Sequence, residues 1–311
     1  MKALAVDLGG SHATLGLLDD ASIVASCSLD LDSAQGLASV LPRFAENLKA
    51  LMEEQGLAPA SLAGIGFSSC GLIDSDAGRV LSINQKWDDA TLLDLPAWGK
   101  QVLGLRLRIE NDARMALLGE WYAGAARGCN DVVMITLGTG IGGAAMIEGK
   151  LVRGKHSQAG NLGGHIPVLF NGRPCTCGAI GCAEAEAAGW SLPLLLREWP
   201  GFADSKLARE PLNFERLFFW ARQGDPVAIA VRDRCLQVWA ADTVALVHSF
   251  DPEVVVIGGG VMRSADVIIP FVQEYVHKHA WTPWGKVQVR AAELGNNAGL
   301  LGAIPLLRGQ S

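Results

Sequence analysis

His165, Cys175, Cys177 and Cys182 fall in one short segment and read His-x9-Cys-x-Cys-x4-Cys. Three thiolates and one imidazole make the closed tetrahedral set that Zn²⁺ takes in structural sites, with no position left for a catalytic water. Glycines at 172, 178 and 181 let the loop fold back on itself, and a zinc ion would staple a segment too glycine-rich to build its own core. The alternative is three buried cysteines grouped by accident. A second kind of chemistry lies in two glycine turns, Gly9-Gly10-Ser11 after Asp7, and Gly138-Thr139-Gly140. Consecutive glycines let the backbone approach a ligand and aim N–H groups at one anion, as in phosphate cradles, although a hairpin needs them without any ligand. Asp7 is placed to hold Mg²⁺ or a water beside such phosphates, or merely to bond backbone in its turn. The Thr139 hydroxyl is placed to bond a phosphate oxygen. A third turn, Gly258-Gly259-Gly260, leaves room for a flat group such as a nucleoside, and tight strand-to-helix geometry explains it nearly as well. Asp112, in Arg108-Ile109-Glu110-Asn111-Asp112-Ala113, falls where a strand passes into a helix. An Asp there is usually a cap, but a carboxylate at the C-terminal end of a strand can also take a proton from a substrate hydroxyl. Glu184 follows the last cysteine and has the alternative of a solvated charge on a helix face.

The elements that must position these residues can be read from hydrophobic period and punctuation. Leu4 to Val6 and Ala13 to Leu18 flank the first glycine turn, and Val132 to Leu137 and Ile141 to Ile147 flank the second, so the chain opens two similar strand–turn–strand units. Further strands are predicted at Ser22 to Leu29, Ala63 to Ser68, Leu105 to Glu110, Glu253 to Ile257 and Lys286 to Ala291. Helices are predicted from about Ser33 to Gln55, with Pro42 demanding a kink or a later start, and at Asp112 to Ala123, Pro226 to Phe250, Ala265 to Ala280 and Ala298 to Leu306. Strands alternating with helices indicate an α/β protein with parallel pairing. No linker rich in Pro and Ser separates the halves, which predicts close packing, a hinge near residues 110 to 125 and a ligand cleft between domains.

Composition narrows the class. The 311 residues are 50% apolar and 19% charged, with mean hydropathy +0.24, enough for about two domains and unlike a disordered chain. A net charge of −6 is the wrong sign for a nucleic-acid binder. No apolar stretch reaches the ~20 residues of a membrane span, and glycines interrupt the N-terminus before a signal peptide's apolar core would end. The expected compartment is the cytoplasm, where crowded cysteines suggest metal rather than disulfides. Neither a P-loop nor a dinucleotide fingerprint is present.

Taken together, these motifs resemble the bacterial ROK sugar kinases and related repressors, which share the actin and hexokinase type of ATPase fold. The resemblance runs from Asp7-Leu8-Gly9-Gly10-Ser11 through Asn111-Asp112-Ala113, Leu137-Gly138-Thr139-Gly140-Ile141-Gly142-Gly143 and Ala159-Gly160 to Gly164-His165. It continues through Cys175-Thr176-Cys177-Gly178-Ala179-Ile180-Gly181-Cys182-Ala183-Glu184 and Gly258-Gly259-Gly260 to Ala298-Gly299-Leu300-Leu301-Gly302-Ala303. It implies an α/β, two-domain, ribonuclease H-like fold, with residues 1–118 and a packed C-terminal helix 298–311 in one domain and 119–297, including the zinc loop, in the other. It also implies ATP-dependent phosphorylation of a hexose hydroxyl, glucokinase-type, with ATP, Mg²⁺ and structural Zn²⁺, in a homodimer. Asp112 would be the general base; Asn84, Asn111, His165 and Glu184 would bond the sugar; the phosphates would lie between the two glycine turns.

Three positions depart from the family pattern. Ser11-His12 stands where Thr-Lys is common, so the hydroxyl stays and the lysine charge is missing. Cys70 stands where proline is common. Ala159-Gly160-Asn161-Leu162-Gly163-Gly164-His165 carries Asn161 in place of a glutamate, with one extra glycine. Asn161 is neutral and offers both a carbonyl and an NH₂, which predicts a weaker preference for glucose and room for another hexose or an N-acylated sugar. An N-acetylhexosamine kinase or fructokinase is therefore the alternative within the family. A non-catalytic sugar-responsive regulator is the alternative outside catalysis, disfavoured by the acidic charge, by Asp112, and by a first strand that starts too early for a helix-turn-helix segment ahead of it.

Overall fold

The computed structural model describes residues 1–83 and 86–310. The chain divides into two compact units, one built from Met1–Gly128, Gly149–Asn161 and the end of the chain from Glu293, the other from Cys129–Glu148 and Leu162–Ala292.

The first unit opens with an antiparallel meander of β1 (Lys2–Leu8), β2 (His12–Asp19) and β3 (Ser22–Asp30). Then follow α1 (Leu37–Glu54), β4 (Ile65–Ser69), a small hairpin of β5 (Leu72–Asp74) and β6 (Arg79–Ser82), α2 (Leu95–Leu103), β7 (Leu107–Asn111) and α3 (Asp112–Ala123). The sheet order is β3-β2-β1-β4-β7, with β1, β4 and β7 parallel. Alternation along β1 sends Leu4, Val6 and Leu8 into one core with Phe44 of α1 and Phe67 of β4. It leaves Ala3, Ala5 and Asp7 for the opposite face. α1 starts at Leu37, four residues later than the helix expected from Ser33, because Gly36 at φ 80° breaks the chain after a separate 3₁₀ turn at Ser33–Gln35. Pro42 lies inside the helix without ending it.

In the second unit β8 (Val132–Leu137) and β9 (Ile141–Ile147) form an antiparallel pair. The two-residue β10 (Lys150–Leu151) belongs to the segment that returns to the first unit. Next come α4 (Ala183–Ala187), α5 (Leu192–Glu198), α6 (Phe214–Arg222), α7 (Pro226–Phe250), β11 (Val254–Gly258), α8 (Ala265–His279) and β12 (Gln288–Ala291). Strands β9, β8, β11 and β12 lie side by side in that order, β11 pairing parallel with both β8 and β12. Trp239 of α7 packs against Phe214 of α6, ring centroids 5.3 Å apart and planes tilted by 55°, and donates its indole N–H to the Ala187 carbonyl.

The chain ends in the first unit with α9 (Ala298–Leu301) and α10 (Ala303–Arg308). One helix was expected from Ala298 to Leu306. Pro305 has no N–H for the Leu301 carbonyl, and the helix divides at Gly302.

Candidate functional site

Parallel register at the carboxyl ends of β1, β4 and β7 gathers the first set of polar groups. Asp7 pairs with Ser68, Ser68 with Glu110, and Ser69 with Asn111. The Ser68 hydroxyl donates to Asp7 Oδ1 at 2.6 Å. Burial raises the Asp7 carboxyl above its ordinary range, against the Ser68 bond and the charge of His12. The first glycine turn closes through Gly9 N–H to the His12 carbonyl at 2.9 Å, and buried Trp87, at φ 51°, donates its indole N–H to the Gly9 carbonyl at 2.9 Å.

Asn111, not Asp112, is the helix cap: its Oδ1 accepts from the N–H groups of Ala113 and Arg114. Its amide donates to the Gly71 carbonyl at 3.0 Å and to Asp112 Oδ1 at 2.9 Å, so all its hydrogen-bonding positions are filled within the unit. A bond from Asn111 to a sugar would have to displace one of these. The Asp112 carboxyl is pushed up to about 6, chiefly because the surrounding protein desolvates it, with the Asp7 charge adding; the bonds from Ala113 and Asn111 and the charge of Lys86 oppose. The residue is nonetheless exposed at its surface, so water and a substrate hydroxyl can reach the carboxyl although protein crowds round it.

Beneath this pair lies a buried ion network that local sequence patterns do not reveal. Glu110 Oε1 accepts from Asn111 N–H at 2.9 Å and lies 3.5 Å from the Arg114 guanidinium, while its Oε2 takes a 2.6 Å bond from Arg153. Arg114 donates to the carbonyls of Val152, Ser157 and Ala159 at 3.2, 3.0 and 2.8 Å. The loop so held leads to Gly160 and Asn161. Asn161 is half-buried, and its backbone N–H donates to Gln158.

In the second unit, Gly138, Thr139 and Gly260 line one cavity of about 470 Å³ together with Trp190, Phe214 and Val261, with Asn213, Glu215 and Arg263 also lining it. Gly258 is buried at the end of β11, and Gly259 turns toward the backbone of Leu137. The turn is tied to the following segment by Gly189 N–H to the Gly138 carbonyl and Trp190 N–H to the Thr139 carbonyl. Glu184 stands over Gly140: its Oε2 accepts from Ile141 N–H at 2.8 Å and its Oε1 from the Trp190 indole at 3.3 Å. It is therefore a braced carboxylate, not a solvated helix-face charge.

The ligand atoms of His165, Cys175, Cys177 and Cys182 all lie within 4.8 Å of one another. Cys175 Sγ is 3.4 Å from His165 Nδ1, and Cys177 Sγ is 3.7 Å from Cys182 Sγ, near the edge of about 3.8 Å expected for a tetrahedron with 2.3 Å metal–sulfur bonds. All three cysteines are free thiols. Burial pushes the Cys182 thiol up to about 12, so the set needs a cation to ionise together. The loop is shaped by Cys175 N–H to the Ala179 carbonyl at 2.8 Å, Gly178 N–H to the Cys175 carbonyl at 3.0 Å, and buried Glu186, which accepts from Arg173 N–H and Arg234. Gly181, at φ 73°, lies so close to the Leu169 carbonyl that no side chain fits.

Asn84, expected at the sugar, lies outside the described residues. Trp87, Arg114, Arg153, Trp190 and Phe214 escaped the sequence reading. Only Phe214 carried a local signal, the helix start after Asn213, whose side chain accepts from Arg216 N–H.

Two units that each begin with a strand–glycine turn–strand and continue through parallel strands and helical crossovers define an ATPase fold of the actin and hexokinase type. The sequence model of the ROK family matches residues 3–310, and the chain belongs to that family. It is 35% identical to a glucokinase of Thermotoga maritima, over 99% of this chain and 98% of that one. Among solved structures it is similar to a ROK hexokinase from Thermus thermophilus, at 30% identity and TM-score 0.81, covering 98% of this chain and 97% of that one. A ROK family glucokinase from Streptomyces griseus, solved in complex with glucose and AMPPNP, matches at 28% identity and TM-score 0.80, over 99% of this chain and 100% of that one. Among the described residues no helix is long and apolar enough to cross a membrane.

Proposed function

We propose that this chain is an ATP-dependent sugar kinase that transfers the γ-phosphoryl group to a hexose hydroxyl, with Asp112 as the general base. The observation that carries the reading is the Asp112 carboxyl at the C-terminal end of a parallel strand, oriented by a saturated Asn111 and poised at about 6. Ionised at neutral pH, it can accept the proton of an attacking hydroxyl on Oδ2, while Oδ1 is held by the N–H groups of Asn111 and Ala113. Glucose is the first candidate substrate, because the Thermotoga maritima and Streptomyces griseus relatives are glucokinases. Asn161, His165 and Glu184 are the proposed sugar contacts. His165 Nδ1 faces Cys175, which leaves Nε2 as the other polar ring atom.

The cavity in the second unit supports a nucleotide over polyphosphate as donor. Its size falls within the ~300–1,000 Å³ of small-molecule sites, and Phe214, Val261 and backbone glycines suit an aromatic base, whereas a polyphosphate would need cations along its length. Asp7, with Gly9, Gly10 and Ser11, would hold Mg²⁺ and phosphate on the other unit's turn. Mg²⁺ would there offset phosphate charge. Zn²⁺ held by His165, Cys175, Cys177 and Cys182 would be structural, fixing the loop before α4.

The test measures the sugar phosphate formed by the purified protein across glucose, other hexoses, N-acetylhexosamines and fructose with ATP or polyphosphate as donor, together with the ADP released when ATP is the donor. The expected outcome is sugar-dependent ADP formation from ATP and no transfer from polyphosphate; a protein inactive on every sugar would sink the reading. The same panel run on Asn161→Glu should change the sugar ranking if Asn161 reads the ring.

A further inference from the structure

We propose that Lys86 is a catalytic residue of this kinase, supplying from outside the first glycine turn an ammonium cation beside the His12 imidazole, and that this ammonium contacts the donor's phosphate oxygens. This rests on the kinase reading above. The turn Gly9-Gly10-Ser11-His12 offers backbone N–H groups, a hydroxyl and an exposed imidazole. Two carboxylates, Asp7 and Asp112, stand near it, and the Asp7 charge helps to raise the Asp112 carboxyl. A polyphosphate ester brought to that place adds several more negative charges, and phosphoryl transfer is limited mainly by positioning and by neutralising such charge.

Lys86 is placed to answer this. A Cβ built on Gly10 would lie 2.8 Å from Lys86 Nζ, 2.8 Å from Cε and 2.9 Å from Cδ, so the lysine lies directly across the turn because residue 10 has no side chain. The neighbouring residue anchors it: Trp87 is fully buried and its indole N–H is bonded to the Gly9 carbonyl. The two residues thus grip adjacent glycines of the turn. Among the described residues Lys86 has no carboxylate partner within ion-pair distance. Its charge nonetheless reaches Asp112 and Cys70, holding both below where desolvation alone would put them. A half-buried ammonium laid over a glycine turn, within reach of the Asp112 charge and without a fixed ion-pair partner among the described residues, is suited to a ligand that is itself multiply anionic.

The test compares wild type with Lys86→Met and Lys86→Arg, using ATP and the best sugar of the panel. Lys86→Met should lower kcat/KM for ATP by ~10²-fold. Its sugar affinity, measured by calorimetry without nucleotide, and its Tm should stay at wild-type values, and Lys86→Arg should recover much of the lost rate. A Lys86→Met enzyme within ~2-fold of wild type in kcat/KM for ATP would overturn the proposal. So would a loss shared equally by sugar affinity and Tm, which marks a structural residue. Failure of the kinase reading looks different, because wild type itself would then release no ADP with any sugar.

Discussion

Arg114 shows how much of the site is set by single buried side chains. It is fully buried, holds three carbonyls of the 152–159 loop and shares Glu110 with Arg153. Removing it leaves three carbonyls without their donor while Glu110 keeps Arg153 and the Asn111 N–H, a loss of about 1–3 kcal/mol for each buried acceptor left unpaired. We expect Arg114→Met to lower Tm, and, because the loop leads into Asn161, to raise KM for the sugar more than it lowers kcat. Arg114→Lys should recover part of the loss, since the three carbonyls converge on the single nitrogen Nη2, which an ammonium can replace, while the Nη1 contact with Glu110 is lost. Thermal melts and sugar titrations read both effects. Asp112 was legible in the sequence because its strand-to-helix context is local. Arg114 was not, because its acceptors lie 38 to 45 residues further along the chain and no periodicity links them.

Among the elements, the strand–glycine–strand hairpins and the long α7 could be read from period and punctuation, since apolar alternation and Asp225-Pro226 are written in adjacent residues. The β5–β6 hairpin and α2 were missed because the hairpin strands are three and four residues long, too short to show a period, and Pro96 and Gly99 interrupt the apolar pattern of α2. The wall of the second unit's cavity was legible only at Gly138, Thr139 and Gly260, because Trp190, Phe214 and Val261 come to it from separate parts of the chain. The cysteine loop sits between these cases: its spacing announced a metal, while the bracing by Glu186 needed the structure. The purified protein should contain about one Zn²⁺ per chain. Cys182→Ser should lose it, lower Tm and weaken sugar binding through His165 while leaving nucleotide binding in place. Elemental analysis finding no metal in a fully active, reduced preparation would contradict this.

Across the whole molecule, each unit carries its own glycine turn, and the chain contributes to the first unit three times, at its start, at Gly149–Asn161 and from Glu293 onward. Glu120 ties two of these passages together, accepting from Ala125, Glu293 and Leu294 N–H groups. Sequence patterns are local, so such returns leave no trace in period or composition. What composition and the glycine turns do convey is the class: an apolar-rich α/β chain whose turns can cradle a small anionic ligand.

The most direct test of the account is the pH profile of turnover in wild type and in Asp112→Asn. With its pKa raised from 3.8 to about 6, Asp112 is protonated below that pH and cannot accept a proton, so kcat should fall as pH drops through about 6. The sign for stability is opposite. A carboxyl whose folded pKa is raised costs the fold increasingly as pH climbs from its ordinary value to about 6, and Asp112→Asn removes that cost, so its Tm at neutral pH should match or exceed wild type. The account predicts that this stable variant still binds the sugar and turns over ~10²–10⁴-fold more slowly, with the acid limb near 6 gone. A variant with near-normal kcat and an unchanged acid limb would contradict it.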